Sequence, residues 1–415
     1  MWDKVSYNET RAGNVSCMDN DLPNIGQEIR RLRKWRNLTL EQLAGLSGLT
    51  KGYLSKIENG NAGLDKRTTI KAISDALQVS IADLVGDHFL MEPSDGAVLG
   101  SVPDIRIALL STGLDGPGLP PSRAMPELNA ETQQLAEWRQ LCRDLEVGRA
   151  LPRLITDLHA SVAGGGNDRT AALRNIVQAT HTATLFLKTL GAVDLAWVAA
   201  DRGHQAAILL DDPLFIAASE FARSQALIGL GAYERADVLA QHAAGLLNPK
   251  TEADVEIYGT SVITTAFTAQ IRGDDPEEAI REAMAAAERT EGTNAFWMNF
   301  SRTNVNQWRM SIALEADDPV RAAEVAREIR ATDIPAKSRR VAFFIDHARA
   351  LHALRGRDAE VVSLLRKADK LGPTRTRNNV WAREIVSELL LRARRDAGGA
   401  ELRGLADRMG LLSPL

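Results

Sequence analysis

Two groups of residues in this 415-residue chain carry side chains suited to recognition chemistry. The first is Thr50, Lys51, Tyr53, Ser55, Lys56 and Asn59, inside the run LTLEQLAGLSGLTKGYLSKIENG from Leu38 to Gly60. Lysine ammonium groups and hydroxyls one helical face apart match the major groove of DNA. There a cation meets guanine acceptors or a phosphate, and a hydroxyl meets either. Arg33 and Arg36, just upstream in the basic stretch Arg30–Arg36, suit phosphate contact. The second group is NAFWMNFSRTNVNQWR, Asn294–Arg309, which gathers Phe296, Trp297, Phe300 and Trp308 in a chain with 5% aromatics. Asparagines lie between them, Asn304 among them. Amides can hold a peptide backbone or a polar small molecule while aromatic rings form apolar walls. On one continuous helix Phe300, Asn304 and Trp308 would share a face at i, i+4, i+8. Packing between helices, with asparagines at caps, explains the same pattern equally well. A further cluster, Arg375, Arg377, Asn378, Asn379 and Trp381, is a candidate for the same groove.

The elements that would position the first group are legible in the same run. Thr39 can cap a helix, with Gln42 three residues on completing a capping box. Leu40, Leu43 and Ala44 give that helix a buried face. Gly48 suits the reversal, Thr50 caps a second helix, and Leu54 and Ile57 bury it. Gly60, after Asn59, ends it. Lys51, Tyr53, Ser55 and Lys56 stay off the buried face, where a recognition helix carries its reading side chains. Glu58, acidic in that setting, is read as a structural acceptor. The window 24–86 holds ten Lys and Arg against six Asp and Glu, while the whole chain carries −4. A basic module on an acidic body is the footprint of a DNA binder with a separate regulatory part.

Four segments follow from pattern. Residues 1–23 lack periodicity and read as disordered, with Met18 an alternative start. Residues 24–86 read as a five-helix unit, the fifth helix capped by Ser80 with Ile81 and Leu84 inward. Residues 87–128 are rich in proline and glycine and read as a linker, with a short helix possible over Asp104–Leu110. Residues 129–415 read as helical repeats. The clearest unit, FARSQALIGLGAYERADVLAQHAAGLLNP, turns at Gly231 and follows a tetratricopeptide-like pattern. Similar turns fall at Gly191, Gly273 and Gly356, with one more expected in Glu315–Pro319. The fold class is therefore all-α: a small helix-turn-helix domain plus a tetratricopeptide-like α-solenoid.

Other chemistries find little support. The two cysteines, Cys17 and Cys142, are too few for a disulfide framework or a zinc cluster, so a reducing cytoplasm is the simplest compartment. The histidines lack metal-ligand spacing, and Gly164–Gly166 lacks the Lys-Ser/Thr of a phosphate loop. No nucleophile–base arrangement stands out. The expectation is no enzyme, no cofactor, no metal and no membrane partner.

On these residues, 24–86 resembles the phage-repressor/Cro (XRE-type) helix-turn-helix domain, through LTLEQLAGLSGLT, YLSKIENG and TTIKAISDALQVSIADL. Leu40 departs from it, standing where that family has a phosphate-contacting glutamine. Through GLTKGYLSKIENG, DLAWVAADRG, TNVNQWR and ELRGLADRMGL the whole chain resembles actinobacterial regulators that join this domain to tetratricopeptide-like repeats. The architecture is also similar to the peptide-pheromone receptors of other Gram-positive bacteria. The resemblance implies a transcriptional regulator with an operator DNA partner and a homodimer on paired half-sites. It also implies a small-molecule or peptide effector in the solenoid, with Asn304, Asn378 or Asn379 as peptide-holding amides. An adaptor whose solenoid binds a partner protein, with DNA contact secondary, is the alternative.

Overall fold

The computed structural model describes residues 25–60, 62–64, 66–81, 84, 93–114, 123–396 and 399–412. The described residues form helices, turns and connecting loops with no strand. The all-α expectation holds. The segment expected to be disordered, 1–23, lies outside the described residues.

The N-terminal unit contains α1 (Ile25–Trp35), α2 (Leu40–Ser47), α3 (Lys51–Glu58) and α4 (Arg67–Leu77). Its boundaries follow local chemistry. Thr39 Oγ1 accepts from the Gln42 amide while Gln42 Oε1 accepts from the Thr39 amide, so both halves of the capping box form. Gly48 ends α2 at φ +68°, a conformation that a Cβ disfavours. Thr50 Oγ1 caps α3 through the Tyr53 amide, and Asn59 closes it. Ile29, Leu43, Leu54, Ile57, Ile73 and Leu77 are buried together as the core. Of the fifth helix only its start is described. The Leu84 amide donates to the Ser80 carbonyl and Leu84 is fully buried, and the residues beyond lie outside the description.

The segment 87–128 differs from its expectation. Its described parts fold into α5 (Pro93–Leu99) and α6 (Val102–Ser111), and α7 (Met125–Gln140) begins before residue 129. Ile105, Leu109 and Leu128 are completely buried. The prolines misled because Pro103 and Pro126 stand in first turns, where no amide donor is needed.

The remaining helices are α8 (Asp144–Gly164), α9 (Arg169–Thr189), α10 (Val193–Leu210), α11 (Pro213–Leu230), α12 (Tyr233–Gly245), α13 (Glu252–Arg272) and α14 (Glu277–Ala287). After them come α15 (Arg302–Glu315), α16 (Pro319–Glu328), α17 (Lys337–Ala353), α18 (Asp358–Leu371), α19 (Pro373–Arg377), α20 (Val380–Asp396) and α21 (Ala400–Arg408). Through α18 most consecutive helices pack against each other, so the chain advances as a solenoid-like stack of hairpins. Gly191, Gly231, Gly273 and Gly356 all adopt positive φ at hairpin turns, and Asp317 takes that role in Glu315–Pro319. Ala236, Ala240 and Ala243 are fully buried, which lets α12 approach its neighbours closely.

The N-terminal unit is docked on this stack by the α4 side. Lys66 Nζ lies 2.8 Å from Asp317 Oδ2, and Arg67 Nε lies 3.2 Å from Glu315 Oε1. The Arg67 amide also donates to Glu315 Oε2 at 3.3 Å. Leu64 joins Leu314 and Trp381 in one apolar cluster. A Cβ on Gly231 would lie 2.9 Å from Ile81 Cδ1, so the α11–α12 turn also meets the unit at close range.

Candidate functional site

The outward face of the N-terminal unit is that of α3. Lys51 and Lys56 are exposed; the Lys51 side chain is 61% accessible, and its ammonium lies 3.2 Å from Glu41 Oε2. An ion pair this exposed is weak and breaks readily for a stronger anion. Gly52 leaves the start of the helix free of side-chain bulk, with nothing near its Cβ position. Asn59 is exposed, with Nδ2 donating to the Ser55 carbonyl at 2.7 Å. Ser55 and Tyr53 are half-buried, and the Tyr53 hydroxyl lies 3.4 Å from the Gly63 carbonyl. Tyr53 thus also supports the turn after α3. Arg36 is exposed, its guanidinium 4.8 Å from the Trp35 ring centre and donating to the Gln78 carbonyl at 3.0 Å.

Arg33 is corrected. Instead of facing outward it forms a fork with Glu58, Nε to Oε1 at 2.6 Å and Nη2 to Oε2 at 2.7 Å, while Nη1 donates to the Leu38 carbonyl. Glu58 is buried, so the pair ties α1 to α3 inside the unit. The structural reading of Glu58 holds, and it takes Arg33 with it. The Glu58 hydrogen bonds raise the Arg33 pKa further.

The aromatic and asparagine stretch is divided between roles. Phe300 precedes α15 rather than sharing its face, because Ser301 caps that helix. Phe300 is 1% exposed and presses on Gly259, where a Cβ would lie 2.0 Å from its Cζ. It is core, not a wall of a groove. Phe296 packs edge-on against Phe215 at 5.0 Å. Asn304 is buried, and neither amide atom has a partner. Trp308 packs edge-on against Phe267 at 5.3 Å, and its indole N–H is enclosed without a partner. In the second cluster Asn379 accepts the Ala382 amide as a helix cap, so it is structural. The Asn378 amide is enclosed without a partner. Arg377 pairs with Asp369, and Arg375 with Asp144.

The loop before α15 owes its shape to Glu256, which is fully buried on α13. Its carboxylate accepts from the hydroxyls of Thr290 and Thr293 and from the amides of Asn294 and Ala295. Asn294, Phe296, Trp297 and Asn299 all hold positive φ, a backbone state costly for non-glycine residues. The strained loop points the Trp297 carbonyl at Arg139 and Gln140, and the Met298 carbonyl at Arg339.

Around this loop the structure gathers basic residues that the sequence reading missed: Arg139, His181, Lys188 and Arg339. Burial, then the neighbouring guanidiniums of Arg375 and Arg339, lowers Arg139 to about 9. Burial, then Arg139 and Arg339, lowers His181 to about 3. Burial, then Arg67 and Arg339, lowers Lys188 to about 7. The one visible hint is Lys188 itself, a cation closing the otherwise apolar run ATLFLK.

Residues 24–85 match a family described as a helix-turn-helix domain. Over 61 residues the chain is 45% identical to RghRB, an uncharacterized HTH-type transcriptional regulator of Bacillus subtilis (strain 168), covering 15% of this chain and 44% of that protein. Over 64 residues it is 39% identical to RghR, an HTH-type transcriptional repressor of the same organism, covering 15% and 47%. The chain therefore spans less than half the length of these relatives. The crystal structure of Bacillus thuringiensis PlcR with the peptide PapR7 and DNA aligns over 90% of this chain and 98% of that one. The alignment has 11% identity and a TM-score of 0.34, a likeness that assigns neither fold nor ligand. Among the described residues no helix is long and apolar enough to cross a membrane.

Proposed function

We propose that this protein is a sequence-specific DNA-binding transcriptional regulator whose helical repeats dimerise and sense a small molecule or peptide. One observation carries the DNA part: the unit is anchored through α4, leaving Lys51, Gly52 and Lys56 of α3 exposed on its outward face. That disposition lets α3 enter a major groove without undocking. The helix-turn-helix family match over 24–85 and the two regulator relatives support the same reading. Thr50, Ser55, Asn59 and Arg36 are then phosphate or base partners beside the two lysines, and Tyr53 holds the turn. The dimer follows from paired half-sites, which double the contact area at fixed spacing.

The test is binding of the purified chain to genomic fragments, its own promoter included, across a salt series. Tight, fragment-selective binding with a steep salt dependence is expected. Weak binding equal on all fragments would overturn it and favour a protein partner for the solenoid. Sedimentation of the protein alone and on a bound fragment reads the dimer, two chains per fragment being the expected result.

A further inference from the structure

Behind the anchored face of the N-terminal unit lies a cavity of about 160 Å³. Lys188 of α9, Gln225 of α11, Phe267 of α13, Trp308 of α15 and Arg339 of α17 line it, together with Arg67 of α4. The DNA-binding unit thus supplies part of the wall of a cavity in the solenoid.

Several polar groups of this wall are donors short of acceptors. The Trp308 indole N–H and the Gln225 amide N–H₂ are enclosed with no partner. Among the described residues the Lys188 ammonium donates one hydrogen bond, to Gln225 Oε1 at 3.0 Å. The Arg339 guanidinium gives one, to the Met298 carbonyl at 3.1 Å. The acid on the wall, Asp346, already accepts from Ser311 and Arg349, and the acid holding Arg67, Glu315, also accepts from Arg349. Further back Arg139 Nε and both nitrogens of His181 are enclosed without partners. Lys188 and Arg339, both half-buried on one wall and neither paired to a carboxylate among the described residues, form a costly arrangement unless an anion completes it. Burial, and then neighbouring guanidiniums, lowers the proton affinities of Lys188 and Arg339.

We propose that this cavity binds a small organic anion through its carboxylate or phosphate head. The head sits among Lys188, Arg339, Arg67, the Gln225 amide and the Trp308 N–H. A flat apolar body would lie against Phe267 and Trp308. Because Arg67 belongs to α4, the bound anion ties the DNA-binding unit to the solenoid. It therefore shifts the reading head between docked and free positions by its preference for the docked one. The regulatory consequence rests on the regulator reading above; the binding itself does not.

The experiment titrates the full-length protein with inorganic phosphate and with benzoate by calorimetry, with chloride at matched ionic strength as blank. Saturable binding of at least one anion is expected. Lys188→Met and Arg67→Gln should each weaken it by about tenfold or more, the loss of a charged hydrogen bond. Arg281→Ala, at an exposed position of α14, should leave it unchanged. Phosphate binding tighter than benzoate assigns a phosphate head; the reverse assigns a carboxylate on an aromatic body. Lys188 faces Arg67, Arg339, Asp346 and Gln225 across the cavity, with His181 on its own helix. Its lowered proton affinity adds a signature: anion binding near neutral pH should take up protons, seen as a heat that depends on the buffer's ionisation enthalpy. Absence of saturable binding for both anions, or unchanged affinity in both variants, overturns the site. Fragment-selective DNA binding measured without anion reads the regulator assignment separately. If it persists while anion binding fails, this inference alone falls; if it is absent while anion binding holds, the regulator reading falls.

Discussion

The chain carries two sets of positive side chains in opposite surroundings. Lys51 and Lys56 stand in water on α3, while Lys188 and Arg339, both half-buried, line the solenoid cavity and Arg139 is buried. The surface cations lose little by waiting, because water solvates them until a phosphate arrives. Burial first, and then the neighbouring guanidiniums, lowers the proton affinities of the interior cations. On the proposed assignments, a positive charge on this protein serves different ends by location: a DNA contact outside, an anion contact inside. Arg33 and Arg67 mark the boundary between them, one locking α1 to α3 and the other joining the two parts of the molecule.

The comparison is broken most strongly at its boundary. Arg33→Ala leaves Glu58 buried without its counter-ion and should destabilise the N-terminal unit by about 3–5 kcal/mol. Thermal unfolding followed by circular dichroism reads this, and a shift no larger than that of a surface substitution would return Arg33 to the list of DNA contacts. Next, Gly259→Ala drives a methyl group into the Phe300 ring, costing about 1–3 kcal/mol by overpacking. A neutral effect would mean that the loop around Glu256 is soft rather than held. Lys51→Ala and Lys56→Ala should each weaken operator binding by about 1–3 kcal/mol without moving the unfolding midpoint.

The interior set gives a pH signature. The unfolded chain holds the Lys188 proton up to the ordinary lysine value, while the folded protein releases it at about 7. Between those values the unfolded state binds more protons, so folding stability rises with pH from about 7 upward. His181, lowered to about 3, makes stability rise again between about 3 and its ordinary value near 6.5. Urea unfolding across pH should show the upper rise in the wild type, and Lys188→Met should flatten it. An equal slope in both would remove Lys188 from the interior set. The smallest effect is expected at Thr39→Ala and Thr50→Ala, about 1 kcal/mol each for a lost helix cap.

These outcomes follow the line between what is legible in the sequence and what is not. The helices of the N-terminal unit were legible because caps, turn glycines and apolar spacing act within a few residues. Thr39, Gly48 and Thr50 each do locally what their types permit. Hairpin turns at Gly191, Gly231, Gly273 and Gly356 were legible for the same reason. The partner of Arg33 was not assigned, because Glu58 lies 25 residues away and only the packing of α1 on α3 brings it close. The interior cavity was illegible, since its walls come from five solenoid helices and α4, more than 270 positions apart from Arg67 to Asp346. Phe300 and Trp308 looked alike in sequence, yet a helix cap at Ser301 sends one into the core and leaves the other on the cavity wall.

The most direct test of the central claim is a footprint on the protein's own promoter region. It compares wild type with the Lys51→Ala/Lys56→Ala double variant at matched fold and concentration. The account predicts a protected, two-fold-related site for the wild type and loss of protection for the variant, with unfolding unchanged. Equal protection by both proteins would contradict the assignment of α3 as the reading helix.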